Sequence, residues 1–280
     1  MTTARARKVD DVKVGDLLRG WRRLRGVTQL ELALKADSSA RHISFVETDR
    51  STPSRSMVLH LAEHLDVPVR DRNSLLMAAG YAPTYPETSL TAPVMTTLRA
   101  GLDQLLTAYE PFPALVMDGM YDVVTANKGV GMLLEGVAGH LLQPPLNAMR
   151  LTLHPQGLAP RIRNLGEWRA HLLERMHRQA TSRSSDALRG LYEEVAAYPA
   201  PAGNTHTVPE KETEGGTEGH SRAVHPYALP LRIEAGGRLL SFVSTATTFN
   251  TPMDVTVSEL AVETFLPADP ETAAALRAAG

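Results

Sequence analysis

Apolar residues recur every three or four positions along the first eighty residues, which is the spacing of helices that bury one face. Hydroxyl residues, Gly and Pro interrupt this pattern at intervals, so it predicts five short helices. The first covers about Val14 to Arg25, and the fifth covers about Val69 to Ala79. The second and third lie between Thr28 and Ser54, and the fourth begins at Ser54.

Beyond residue 94 the pattern mixes helical and strand spacing, which is typical of an α+β domain. Two pairs of β-prone runs, each pair joined by a turn signal, predict a small antiparallel sheet of four strands covered by helices on one face. The predicted strands are Pro113–Asp118, Tyr121–Ala126, Ala228–Glu234 and Arg238–Thr245. The predicted helices are Val94–Tyr109, a helix capped by Asn127 that runs through Met132 to Leu134, Leu165–Thr181, Ser185–Ala197 and Thr256–Phe265.

Two segments lack apolar periodicity. Residues 81–93 contain three prolines and predict a semi-rigid connector. Residues 199–224 are rich in Pro, Gly, Thr and Glu and predict a mobile surface loop. The chain is therefore expected to be mainly α, with a five-helix domain over 1–80, the connector, and an α+β domain over 94–280.

Composition and charge narrow the class of protein. The chain has no cysteine, which excludes disulfides, thiolate chemistry and zinc-finger ligation. No apolar run approaches the roughly 20 residues that span a bilayer, so we expect a cytoplasmic protein with no membrane partner. Residues 1–80 carry 14 basic against 10 acidic side chains, a net +4, whereas 81–280 carry 15 against 21, a net −6. A basic module on an acidic remainder is expected when only one domain meets phosphate.

Residues 28–54, TQLELALKADSSARHISFVETDRSTPS, contain two of the short helices with a tight turn between them. Thr28 and Ser39 are good N-caps, and Arg, His and Ser are left on the solvent side of the second helix. The apolar positions of the pair are Leu30, Ala33, Leu34, Ile43 and Val46. Two such helices with a short turn form a helix-turn-helix.

The order T-Q-x-E-L-A, I-S-x-V-E and P-S resembles the helix-turn-helix of the phage-repressor-like (XRE) class of bacterial transcription factors. The resemblance implies that Gln29 contacts a backbone phosphate and that Arg41 reaches a guanine bidentately in the major groove. Phe45 replaces a polar residue common in that class, which leaves a thymine-methyl contact and a structural role both open. The residues expected at the DNA are Gln29, Ser39, Ala40, Arg41, His42, Ser44, Phe45 and Arg50.

The chain also resembles the MmyB-like regulators, through the segments LLMAAGYAPTYPETSL, EPFPALVMDGMYDVVTAN, LTLHPQGLAPRIRNLGEWRAHLLERMHRQA and LSFVSTATTFNTPMDVTVSELAVETFLPAD. The C-terminal half of that family is a PAS-like ligand-binding domain. The resemblance implies a small hydrophobic ligand between sheet and helices, with a fatty acid as the candidate. The polar candidates are Arg150, His154, Arg161 and Asn164, and the cavity-lining candidates are Trp168, Phe242 and Phe249. An ordinary structural role stays open for each of them.

Motifs of catalysis and metal binding do not occur in the sequence. G-x-S-x-G, G-x-G-x-x-G, the P-loop and H-E-x-x-H are all missing, so we expect no enzyme activity, no cofactor and no metal. The sequence predicts a homodimeric transcription regulator that binds a double-stranded operator and is modulated by a small hydrophobic ligand. The alternative is a regulator whose C-terminal domain only dimerises or recruits a protein partner.

Overall fold

The computed structural model of the protein describes residues 13–183, 185–199 and 228–279. Its contacts group into two compact units. The first contains the described residues up to 89 together with 250–258, and the second contains the remaining described residues. The predicted loop over 199–224 lies outside the described residues, except for Pro199.

Within residues 13–89, five helices form as the apolar pattern predicts. They are α1 Val14–Leu24, α2 Gln29–Lys35, α3 Ala40–Glu47, α4 Arg55–His64 and α5 Val69–Ala78. The side chains of Thr28, Ser39 and Ser54 each accept a hydrogen bond from a backbone N–H in the first turn of the helix that follows. These bonds satisfy N–H groups that have no partner within the helix, and they fix where α2, α3 and α4 begin.

The core of the first unit lies where its helices meet. Its most deeply buried side chains are Leu18, Leu32, Ala33, Ile43, Val46, Val58, Leu61, Ala62, Leu65, Leu75 and Leu76. The predicted apolar face of α2 is partly wrong, because Leu30 and Leu34 are 60% and 74% exposed while Leu32 is buried. In a helix of seven residues with three alternating leucines, the spacing alone does not fix which leucines face the core.

Polar contacts hold the connector that follows α5. The side-chain oxygen of Asn73 accepts hydrogen bonds from the N–H groups of Thr84 (3.0 Å) and Tyr85 (3.1 Å), and its amide nitrogen donates to the Tyr85 carbonyl (2.7 Å). Arg70 forms a two-point ion pair with Glu87, at 2.7 and 3.1 Å. These bonds restrain a segment whose prolines already limit its conformations.

A segment from far along the sequence completes the first unit. The N–H of Val255 donates to the Pro86 carbonyl at 2.8 Å, and the N–H of Thr88 donates to the carboxylate of Asp254 at 3.2 Å. Val255 is fully buried. The first unit is therefore discontinuous in sequence.

In the described part of the second unit, five strands form a curled antiparallel sheet. They are β1 Ala114–Met117, β2 Val123–Ala126, β3 Leu231–Ala235, β4 Arg238–Thr248 and β5 Ala261–Pro267, in the order β2-β1-β5-β4-β3. The helices of this half of the chain are α6 Thr96–Ala108, α7 Lys128–Gly131, α8 Ala148–Leu153, α9 Leu165–Arg183, α10 Asp186–Ala196, α11 Val255–Glu259 and α12 Pro270–Ala279. Gly236 and Gly237 join β3 to β4 with positive φ at both, which confirms the predicted hairpin turn.

The predicted final helix over Thr256–Phe265 is wrong. Only α11 forms there, and the chain then becomes β5, the central strand of the sheet. Val262, Glu263 and Thr264 are all buried, since β5 is covered on both faces. A short run that is buried on both faces lacks strand alternation, so its pattern cannot be told from that of a buried helix. The sheet consequently has five strands where the sequence predicted four.

The helix expected after Asn127 is shorter than predicted, since α7 ends at Gly131. The Asn127 side chain does not cap it. Instead its oxygen accepts a hydrogen bond from the Ala114 N–H (3.0 Å), and its nitrogen donates to the carbonyls of Leu106 (3.1 Å) and Phe112 (2.8 Å). Asn127 thus holds the start of β1 against the end of α6, a long-range role that local sequence does not indicate.

Candidate DNA interface and ligand cavity

Helix α3 turns one face to the core and the other to solvent. Ile43 and Val46 are each 1% exposed, whereas Arg41 is exposed and Ser44 and Phe45 are partly exposed. The core contacts of Ile43 and Val46 fix the rotation of the helix about its axis. The residues of α3 that are predicted to contact DNA bases therefore lie on its solvent-facing side.

The remaining predicted DNA contacts lie at the two ends of α3. Ser39 is exposed, and its hydroxyl accepts a hydrogen bond from the His42 N–H at 3.1 Å. Ala40 and His42 are partly exposed. Arg50 lies just past the end of the helix with an exposed side chain, and its N–H donates to the Phe45 carbonyl at 2.8 Å. The structure brings these residues to one helix, and their contact with DNA stays a prediction.

Arg41 and Phe45, one helical turn apart, stack on each other. The guanidinium carbon of Arg41 lies 5.2 Å from the centroid of the Phe45 ring, which is within cation–π range. No carboxylate of the described residues forms an ion pair with Arg41. The stack restrains the guanidinium, and no side-chain hydrogen bond of Arg41 occurs among the described residues.

A buried polar network positions α3 against α1 and α2. Arg22 of α1 donates to both carboxylate oxygens of Glu47 at 2.5 and 2.8 Å, and to the Val27 carbonyl at 2.9 Å. Gln29, the first residue of α2, donates from its side-chain amide to Glu47 at 2.9 Å. The side chain of Gln29, the predicted phosphate contact, is therefore held in place by Glu47 of α3, and its contact with phosphate stays a prediction.

The charges in this network are stabilised by one another. Burial alone would raise the pKa of Glu47, which is 2% exposed, but the hydrogen bonds from Arg22 and Gln29 and the charge of Arg22 together outweigh burial and lower it. The hydrogen bond to Glu47 raises the pKa of Arg22. Both groups are thus held in their charged forms at neutral pH.

In the second unit an apolar cavity of about 100 Å³ lies between the sheet and the helices. It is bordered by three of the strands described above, β1, β2 and β5, by the start of β3, and by α8 and α9. Its lining residues are Leu115, Val123, Ala126, Val130, Leu133, Leu134, Leu146, Ala148, Met149, Leu151, Thr152, Leu158, Trp168, Leu172, Leu231, Glu263 and Phe265. The position matches the one expected for a ligand in this fold class.

Trp168 is the predicted ligand residue that lines this cavity. Phe242 is fully buried one layer away, with its ring edge-on to Phe265 at a centroid distance of 6.2 Å. Phe249 is 36% exposed and is not part of the lining. An apolar ligand would thus meet Trp168 directly and Phe242 only through Phe265.

The four predicted polar candidates are engaged elsewhere. Arg150 forms a two-point ion pair with Glu194, both distances being 2.7 Å, and the His154 ring packs edge-on against another aromatic ring. Arg161 donates to the carbonyl of a cavity-lining leucine. The Asn164 side chain donates to the Pro230 carbonyl and accepts a hydrogen bond from the Arg232 N–H. These contacts are structural, and contact with a ligand stays a prediction for each residue.

A second, wider depression of about 470 Å³ is more open to solvent and has a mixed lining that includes Glu110, Lys128 and Arg277. Its size alone does not make it the ligand site, because ligand sites are mostly apolar and more enclosed. Within the described residues no group of three His, Cys, Asp or Glu side chains could hold a metal ion. No described helix combines the length and hydropathy that crossing a membrane requires.

Models of two known protein families match the chain, one in its N-terminal part and one in its C-terminal part. A model described as helix-turn-helix matches residues 18–71, which contain the network and the solvent face of α3. A model described as MmyB-like transcription regulator ligand binding domain matches residues 98–279, which contain the apolar cavity. The chain belongs to the MmyB-like transcription regulators. A comparison with curated proteins finds no match.

In this MmyB-like regulator the sequence reasoning missed three side chains that shape the two sites. Glu47 was not among the predicted residues, because no local pattern indicates that this carboxylate, directly after Val46 at the end of α3, is buried. Glu263 and Arg175 were also missed, because Glu263 was assigned to the predicted final helix and Arg175 lies within the predicted helix Leu165–Thr181 with no motif to mark it. The pairing of residues 88 positions apart leaves no local pattern.

Proposed function

We propose that this regulator binds a pseudo-palindromic operator as a homodimer through α3, and that a small hydrophobic molecule in the cavity beside Trp168 modulates its affinity for DNA. The observation that carries the proposal is the combination, in one chain, of a helix whose solvent-facing side carries Arg41 and an apolar cavity. The first is suited to phosphate and base edges, and the second is suited to an uncharged carbon skeleton.

The DNA part of the proposal rests on the geometry of α3. A helix-turn-helix places the N-terminal part of its second helix in the major groove, where Arg41 would meet a guanine edge. Its stack on Phe45 reduces the side-chain entropy that binding would otherwise cost. Because a single helix reads few base pairs, a homodimer on two half-sites about one helical turn apart would supply the specificity.

The ligand part of the proposal depends on the size of the cavity. An apolar cavity of about 150 Å³ can hold benzene, and a fatty acid is larger than benzene. The cavity of about 100 Å³ in this protein is therefore too small for a fatty acid. A larger ligand must widen the cavity, and it therefore binds the widened state better than the closed one. Such a difference in affinity is what allows a ligand to shift a conformational equilibrium. A fatty acid is the first compound to test.

The test begins with native mass spectrometry of the full chain purified from its host, followed by denaturing extraction of anything released. The compound recovered is then titrated against the protein on DNA selected from a random library. A stoichiometric apolar mass that changes DNA affinity is expected. A protein that carries no small molecule and binds its DNA identically with and without added fatty acids or the alcohols of the same chain length would favour the alternative, a domain that only dimerises or recruits a protein.

A further inference from the structure

One side chain in the cavity wall does not fit an apolar lining. Glu263 lies on the central strand β5, opposite Leu115 of β1 and Ala246 of β4, and it borders the cavity. It is 6% exposed, and most of the other residues around the cavity are hydrocarbon side chains. A carboxyl group in such a place costs free energy that a leucine of similar size would not.

Arg175 of α9 is the partner that the described residues offer to Glu263. Its guanidinium nitrogen lies 3.4 Å from a carboxylate oxygen, which is long for an ion pair of this kind. The same guanidinium lies 5.8 Å from the centroid of the Tyr121 ring, whose hydroxyl donates to Gln179 at 2.5 Å. Arg175 is therefore placed by its neighbours. When Glu263 is ionised, Arg175 balances its charge, so the ionised pair contributes no net charge to the cavity wall.

The ionisation of Glu263 follows from this environment. Burial raises its pKa, and the attraction and hydrogen bond of Arg175 only partly oppose that rise. The ionised carboxylate can accept a hydrogen bond, and the neutral acid can donate one. In both states the group has hydrogen-bonding capacity beyond its single long contact with Arg175. Buried polar groups in apolar pockets commonly fix the orientation of a ligand.

We propose that Glu263 sets the chemical class of the ligand, selecting apolar molecules that end in a neutral hydrogen-bonding group such as a hydroxyl and disfavouring those that end in a carboxylate. The inference rests on the proposed ligand-sensing function. A hydroxyl can donate to the carboxylate of Glu263 or accept from its acid form. A ligand carboxylate would lose its own hydration and meet a pair whose positive charge is already balanced.

The test compares two probes that share one chain length, 1-octanol and octanoate, by isothermal titration calorimetry on the full chain at pH 7.5. We expect the wild type to bind octanol at least tenfold more tightly than octanoate. The substitution Glu263→Gln removes the negative charge and leaves Arg175 to attract an anion, so the preference should fall at least tenfold, mainly through tighter octanoate binding. Circular dichroism spectra establish that the variant is folded.

Glu234→Gln is the matched control, because Glu234 also lies on a strand and pairs with an arginine, Arg163, but is partly exposed and outside the cavity. This variant should keep the wild-type preference.

Equal binding of the two probes, tighter octanoate binding by the wild type, or an unchanged ratio in the Glu263 variant would overturn the role of Glu263 while leaving ligand sensing intact. Binding of neither probe would contradict ligand sensing itself. The wild-type ratio alone decides the inference if the variant does not fold.

Discussion

Arg41 combines exposure, a restrained geometry and the absence of an ion pair among the described residues. Several other arginines of the described residues differ from Arg41, since Arg70, Arg150 and Arg163 all pair with carboxylates. A stacked guanidinium with available donors is the side chain best suited to bidentate recognition on α3. Its direction relative to the core is set by Ile43 and Val46, the buried apolar residues of the same helix.

We expect Arg41→Ala to weaken binding to the selected operator by about 1–3 kcal/mol, roughly five- to 150-fold, and to weaken binding to random DNA less. Fluorescence anisotropy at one fixed salt concentration measures both affinities. Arg99→Ala is the control, because it removes the same charge from an exposed position on α6, outside the first unit. Equal losses on operator and random DNA would remove the base-reading role of Arg41.

The buried carboxylate of Glu47 joins three helices, since it lies on α3 and accepts hydrogen bonds from Arg22 of α1 and Gln29 of α2. Replacing Glu47 by Gln leaves Arg22 without its counter-charge, and breaking a buried pair in this way costs about 3 kcal/mol. Urea unfolding of the full chain at pH 7 measures the loss, and hydrogen exchange of α3 peptides identifies the unit affected. Asp16→Asn, which breaks an exposed pair with Arg19, should change stability by less than about 0.5 kcal/mol.

The pH dependence of this loss has a definite sign. Because the folded-state pKa of Glu47 lies below its ordinary value of 4.5, its ionised form stabilises the folded state above about pH 4.5. That contribution disappears as the pH falls through the folded-state pKa. We therefore expect the stability gap between wild type and Glu47→Gln to narrow in acid. A gap that stays constant down to pH 3 would show that the stabilisation comes from another source.

At the scale of elements, the connector is ordered by side chains from α5 and not by its prolines alone. Asn73 satisfies three backbone groups of residues 84 and 85, so it holds the chain as a short piece of secondary structure would. The sequence predicts a semi-rigid connector from proline density. Its attachment to α5 depends on one amide group meeting three backbone partners 11 to 12 residues away.

We expect Asn73→Ala to increase hydrogen exchange of residues 84–88 at least tenfold, because three backbone groups lose their partner. Exchange in α3 should stay unchanged, since the core contacts of that helix are not affected. Ser74→Ala provides the neighbouring control, as no hydrogen bond of its side chain occurs among the described contacts. Unchanged exchange in the connector would mean that proline stiffness is sufficient to hold it.

At the scale of the whole molecule, charge is divided between the two parts of the chain. The basic excess of residues 1–80 would attract the DNA backbone, and the acidic excess of the remainder would not. Association with phosphate releases condensed counterions, so affinity should depend steeply on salt. The overall net charge of −2 does not show this division, because the positive charge of residues 1–80 is offset by the negative charge of residues 81–280.

We expect operator affinity to fall at least a hundredfold between about 50 and 200 mM salt, as it does when several phosphates are contacted. Anisotropy titrations across this range give the slope of log affinity against log salt concentration. The Arg99→Ala variant should reproduce the wild-type slope. A slope near zero would contradict direct binding to DNA.

The amino-acid sequence is sufficient to predict the five N-terminal helices, the face of α3 that points to solvent, and the hairpin at Gly236 and Gly237. These features depend on interactions within a few residues, such as the N-caps Thr28 and Ser39 and the positive φ of paired glycines. Short-range physics leaves a short-range pattern, so a reader of the sequence can recover it.

Only the tertiary structure decided that residues 261–267 form the central strand, that Glu263 borders the cavity, and that Glu47 joins Arg22 to Gln29. The physical reason is that each feature is fixed by partners distant in sequence. A strand that is buried on both faces loses its alternation, and a buried ion pair is recognised only when the fold brings its two charges together.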